Sequence, residues 1–197
     1  MRQRSIPDTD QKRSSLLENI LRDTSDIALV HLCDQYGLNR IPGLDHSALV
    51  QRLLRHLSAD QLAHLQDDLI ATLFGHLSVA QLLDMLVEVA GRATHGTARR
   101  DRISDQDATL VQGDSQRWVF TMRGHDVAVD LHTHRLMCDC AFFEFASRRK
   151  TLCKHLLKAF ELMPATYARE ALTDLLVTWR YAAAASDHWH LEHSRAA

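Results

Sequence analysis

Three of the four cysteines in this 197-residue chain fall within sixteen residues, in the order Cys138-Asp139-Cys140, twelve intervening residues, Cys153-Lys154-His155. Three thiols and an imidazole are the ligand set of a closed tetrahedral zinc site. The pattern constrains the local fold. A Cys-x-Cys pair on an extended turn directs both sulfurs at one ion. Cys153 and His155 close the site when they stand at the first turn of a helix. The other reading is a set of buried thiols beside a surface histidine, since free cysteine is often a small core residue. The grouping favours a metal, Zn2+, with Cys138, Cys140, Cys153 and His155 as its ligands.

The text around the motif sets its frame. Thr109–Gln112, Arg117–Met122, Asp126–Leu131 and Arg135–Cys138 read as short strands, with turns at Gly113-Asp114-Ser115 and Arg123-Gly124. Val127, Val129 and Leu131 alternate with Asp126, Ala128 and Asp130, which turns one face inward. Beyond the second half of the motif, Thr151–Met163 places Leu152, Leu156, Phe160 and Met163 along one helical face. Pro164 separates that helix from another over 166–185.

The run Cys138-Asp-Cys-Ala-Phe-Phe-Glu-Phe145, then Arg148-Arg-Lys-Thr-Leu-Cys-Lys-His-Leu-Leu157, follows a small sheet and enters a helix. In this it resembles the SWIM zinc finger, over residues 109–160, and is nearest in motif to the SWIM subunit of Shu-type recombination complexes. Ala141 stands where many SWIM sequences carry proline, and Lys158 where the Shu-type motif has alanine. The resemblance implies zinc binding and contact with DNA or with a protein partner.

Upstream of position 92 the text is helical. Ser25 and Asp45 read as helix caps, and Gly37 as a helix end. Pro42-Gly43 marks a turn. His56-Leu-Ser-Ala-Asp-Gln-Leu62 is echoed by His76-Leu-Ser-Val-Ala-Gln-Leu82, and each copy sets Ser-x-x-Gln, a capping box, before an apolar run. Residues 25–57 weakly resemble the helix–extension–helix of SAP-type DNA-binding motifs. Those motifs place basic residues at the start of the second helix, where this chain has Asp45, His46 and Ser47, so an ordinary helical hairpin is the favoured reading. Cys33, among Leu29, Leu32 and Leu38, reads as core.

The expected fold class is α+β: an N-terminal helical bundle, then a small antiparallel sheet plus helix zinc module, then a C-terminal helix. The expected organisation is a flexible N-terminus (1–13), a helical domain (14–92), a linker (93–107), the SWIM-like finger (108–163), the C-terminal helix (164–185) and a flexible tail (186–197).

Hydrophobic content of 46% and charged content of 24% suit a soluble globular protein, and no apolar run approaches a membrane span. The polar N-terminus and clustered thiols point to a reducing interior, cytoplasmic or, in a eukaryote, nuclear. No phosphate loop, nucleophile elbow or His-Glu-x-x-His motif is present, and four ligands at closed-site spacing disfavour a catalytic metal, so no enzymatic activity and no small-molecule substrate are expected.

The net charge of −2 gives no global attraction for nucleic acid. Locally the balance reverses. Between positions 131 and 160, Arg135, Arg148, Arg149, Lys150, Lys154 and Lys158 face only Asp139 and Glu144, which is 6 − 2 = +4 before the site's own charge is counted. Arg148, Arg149, Lys150, Lys154 and Lys158 are the expected phosphate contacts. A solvated surface beside a structural zinc explains the same residues about equally well. Phe142, Phe143 and Phe145 suit base stacking if exposed, but at least two are expected in the core of so small a module. His132-x-His134 and His188-x-His190-x-x-His193 look ligand-like without a complete second set. Two functions stand: a DNA-binding zinc module, or a protein–protein adaptor such as a recombinase-associated DNA-repair subunit.

Overall fold

The computed structural model describes residues 8–38, 43–89, 103–147, 151–182 and 189–193. The described residues form an α+β structure of eight α-helices and one five-stranded sheet. The chain divides into two compact units, residues 1–76 with 181–186, and residues 77–180 with 187–197.

The first unit is built from α1 (Asp8–Asp23), α2 (Asp26–Gln35), α3 (His46–His56) and α4 (Ala59–Phe74). Helix α1 begins inside the segment expected to be a flexible N-terminus. Each later helix starts where the cap chemistry dictates. Ser25 accepts from Ala28 N, Asp45 accepts from Ala48 N at 2.8 Å, and Ser58 and Gln61 form a reciprocal capping box. Gly37, at φ +70°, ends α2 in a Schellman turn: its N–H reaches Asp34 O at 3.1 Å, and Leu38 N reaches Cys33 O at 2.8 Å. The interior is a leucine core of Leu17, Leu21, Leu29, Leu49, Leu53 and Leu65, which also holds Cys33. Helices α2 and α3 pack on each other, and His46 Nδ1 lies 2.6 Å from Asp26 Oδ1. The start of α3, the basic position of a SAP-type motif, is thus taken up by contacts within the protein.

The second unit contains α5 (Val79–Val89), the strands β1 (Ala108–Gly113), β2 (Arg117–Met122), β3 (His125–Asp130) and β4 (Arg135–Cys138), the helices α6 (Ala141–Ser147), α7 (Lys154–Leu162) and α8 (Ala165–Tyr181), and β5 (His190–Glu192). The first four strands form an antiparallel meander. Arg123 and Gly124, both at positive φ (+49° and +78°), make the tight β2–β3 turn. Asp114 Oδ1 accepts from Gln116 N and Arg117 N at 2.7 and 2.8 Å and so closes the β1–β2 turn. One face of the sheet carries Trp118, Phe120, Met122, Val127, Val129 and Leu136, all buried, and α7 lies against β3 and β4. Helix α5 also packs on α7, where Leu82 and Leu86 are buried.

Besides the early start of α1, three features depart from expectation. Helix α5, expected within the helical domain 14–92, falls in the second unit. The segment 186–197, expected to be a flexible tail, supplies β5, which pairs parallel with β4 and makes the sheet mixed. Trp189 anchors it: the ring is buried, Nε1 donates to Asp174 Oδ2 at 2.7 Å, and His134 meets it edge-on at 5.3 Å. A three-residue strand is too short to show a period of its own. Third, of the segment expected to link the two parts, residues 103–107 hold a buried Ile103 and a 3-10 turn at Asp105–Asp107; residues 93–102 lie outside the described residues. No single helix among the described residues is long and apolar enough to cross a membrane.

Candidate metal centre

Strand β4 delivers the first ligand. Cys138 is its last residue and pairs with Val127 of β3, so its side chain points to the buried face of the sheet. The chain then leaves the sheet in a knuckle at Asp139-Cys140 and turns into α6, where Phe143 N donates to Cys140 O at 2.9 Å. The other two ligands come from α7. Cys153 is its N-cap, with extended backbone and a sulfur that makes no capping hydrogen bond, and His155 lies in the first turn. A helix start therefore presents both groups, as the spacing implied.

The four ligand atoms lie within 4.8 Å of one another, and Cys138 Sγ is 3.8 Å from His155 Nδ1. In a tetrahedral site with Zn–S of about 2.3 Å and Zn–N of about 2.0–2.1 Å, two sulfurs stand about 3.8 Å apart, and a sulfur and a nitrogen about 3.6 Å. The Cys138–His155 separation matches that spacing, and the whole set gathers within 4.8 Å, close enough to be drawn onto one ion. Cys138 and Cys153 are 0% exposed, and Cys140 and His155 4%. All four donors are thus enclosed by the protein.

The thiols also fit a cation chemically. Hydrogen bonds first from Cys138 and then from Cys153 lower the pKa of Cys140, against the effect of burial. Cys138 is raised well above the ordinary thiol range by its hydrogen bonds to Cys140 and Cys153 and by burial. Burial pushes Cys153 up to about 12. Metal binding to thiols releases their protons, so a dication would ionise three sulfurs that burial otherwise keeps protonated.

A surrounding layer holds the ligands. His125 Nδ1 lies 2.9 Å from Asp139 Oδ1, and the His125 ring stands 4.7 Å from that of His155. His193 Nε2 lies 3.1 Å from Asp139 O. Nothing in the sequence marks His125 or Asp139 as part of the site. They carry no motif, and only the pairing of β3 with β4 brings them to the site. His193, ligand-like in its spacing, stands one step out from the cluster, against the Asp139 carbonyl. Among the described residues, Cys138, Cys140, Cys153 and His155 form the one group of this kind, and His132, His134 and His190 are not part of it; His188 lies outside the described residues.

The expected phosphate contacts are dispersed in what they do. Arg148, Arg149 and Lys150 lie outside the described residues. Lys154 is half-buried in the first turn of α7. The Lys158 side chain is 12% exposed, and Nζ pairs with Asp105 and with Glu161, the latter at 3.3 Å. Burial alone would lower its pKa, but the two carboxylates outweigh it and raise it. The phenylalanines correct the expectation of two core rings: Phe143 is fully buried, whereas Phe142 is 46% and Phe145 71% exposed. They lie on helix α6, where spacing of three sets Phe142 and Phe145 on one side and Phe143 on the other.

Comparison of the chain with protein-family models, with curated proteins and with solved structures finds no match.

Proposed function

We propose that this chain is a zinc-binding interaction module of SWIM type, without enzymatic activity, that contacts DNA beside its metal site. The observation that carries the zinc reading is the convergence of four buried donors, three of them sulfur, within 4.8 Å. Thiolate-rich tetrahedral sites select zinc, and a site with four protein donors is structural rather than catalytic. Reduced thiols held for a metal suit a cytoplasmic or nuclear setting.

The nucleic-acid reading draws on α6 and on the sequence that follows it. The exposed rings of Phe142 and Phe145 offer stacking surfaces, and the next basic residues are Arg148, Arg149 and Lys150. Lys158, engaged with two carboxylates, is a weaker phosphate contact than its charge suggests, so the reading draws chiefly on Arg148, Arg149 and Lys150. Binding of the full chain to single- and double-stranded DNA is measured across a salt series. It is expected to weaken linearly on a log–log plot, with a slope of roughly −0.9 per phosphate neutralised on duplex DNA. Replacing Arg148, Arg149 and Lys150 by alanine flattens the slope and leaves the metal content unchanged. Absence of salt-sensitive binding to DNA or RNA at low salt ends this reading.

One observation favours the protein-adaptor alternative. β1 is an edge strand with Leu110 56% and Val111 63% exposed, a surface that suits strand addition by a protein partner. A recombinase-associated repair subunit without direct DNA contact would use such an edge.

A further inference from the structure

Asp139 stands between the two thiols of the Cys-x-Cys pair, and each of its polar groups is held by a different neighbour. Its N–H donates to Asp126 O at 3.3 Å, its carboxylate lies 2.9 Å from His125 Nδ1, and its carbonyl lies 3.1 Å from His193 Nε2. A carbonyl only accepts, so His193 Nε2 carries the proton of that bond. His125 in turn packs its ring 4.7 Å from the ring of His155, at an interplanar angle of 50°. A continuous set of contacts therefore runs from the residue between the first two ligands to the fourth ligand, on another element. Its outer end is in the C-terminal segment: His193 directly follows β5, which is tied to β4 by its ladder and to α8 by the Trp189–Asp174 hydrogen bond.

We propose that His193 and His125 are positioning residues for the metal site, and that docking of β5 and binding of the ion stabilise each other. The proposal rests on the zinc reading above. A knuckle of three residues must aim two sulfurs at one point while its backbone is free to turn about Asp139. Fixing that residue at its N–H, carboxylate and carbonyl leaves the sulfurs in the ligating arrangement before the ion arrives. Groups that hold ligands in this way typically change metal affinity by about 10–100-fold. The linkage is reciprocal: the factor by which a docked β5 strengthens ion binding equals the factor by which the ion strengthens docking. The C-terminal segment would then report, through its own order, whether the metal is bound.

The test uses the full chain. Zinc affinity is measured by competition with a chromophoric chelator for the wild type, His193→Ala and His193→Gln, whose amide can still donate to the Asp139 carbonyl. Hydrogen exchange of residues 189–193 is followed in the wild type with and without zinc. The expected results are affinity weakened about tenfold in His193→Ala, most of it restored in His193→Gln, and faster exchange of 189–193 once zinc is stripped. Wild-type affinity in a folded His193→Ala protein overturns the proposal. So does unchanged exchange of 189–193 in stripped wild type, and this second arm decides the matter if the alanine variant does not fold. Wild-type protein that takes up no zinc fails at the earlier step and removes the metal reading with it.

Discussion

Cys153 and Cys33 are both buried thiols, and the difference between them is the difference between chemistry and packing. Cys33 sits in the leucine core of the first unit, where burial raises its pKa. Cys153 faces two other sulfurs and an imidazole. Cys33→Ala is expected to keep the full metal content and to cost about 1 kcal/mol, the usual scale of a point change. Cys153→Ala is expected to abolish stoichiometric metal binding and to loosen the structure around β4 and α7, because the ion contributes folding free energy there. Metal analysis and denaturant unfolding of the two variants distinguish these roles. The four ligands were legible because metal chemistry restricts residue type and spacing together. His125 and Asp139 were not, because any polar pair of the right reach could do their work, and β pairing alone makes them neighbours. The exposure of Phe142 and Phe145 was hidden for a related reason: three phenylalanines in four positions of a short helix cannot all face one way.

At the scale of elements, local chemistry was the better guide. Ser58 and Ser78 begin two copies of one helix start in the sequence, and both form the reciprocal pair: Gln61 N donates to Ser58 Oγ and Gln81 N to Ser78 Oγ, each at 3.3 Å, while each serine N–H donates to its glutamine at 2.9 and 2.8 Å. Ser58→Ala and Ser78→Ala should each destabilise by about 1 kcal/mol, the typical worth of a cap. A loss below a few tenths in both, measured by thermal unfolding, would mean that these helix starts are held by packing alone. The meander β1–β4 was legible for the same local reason, since turn residues and alternation mark it. Strand β5 was not. Its partner is more than fifty residues away, its ladder is three pairs long, and its anchor is one tryptophan packed on a helix that the sequence treats as separate.

At the scale of the whole molecule, the two units have different sources of stability. The first is a helical core of leucines, and the Cys–His cluster found among the described residues lies outside it. The second gathers α5, the sheet and α7 around the metal centre. Periodicity identifies α5 as a helix, and its place in the chain groups it with the helical domain 14–92, with Leu82 and Leu86 in that core; Val79–Val89 instead falls in the second unit, where it packs on α7. Removing the ion should therefore speed hydrogen exchange in α7, β4 and Val79–Val89 while α2, α3 and α4 keep their protection. Loss of protection in all helices together would mean that the units unfold as one. The most direct test of the central claim is elemental analysis of the full chain, purified under reducing conditions, with X-ray absorption at the metal edge. The account predicts one zinc per chain, with three sulfur neighbours at about 2.3 Å and one nitrogen at about 2.0–2.1 Å. A folded, fully reduced protein with no zinc, or zinc bound without sulfur neighbours, would contradict it.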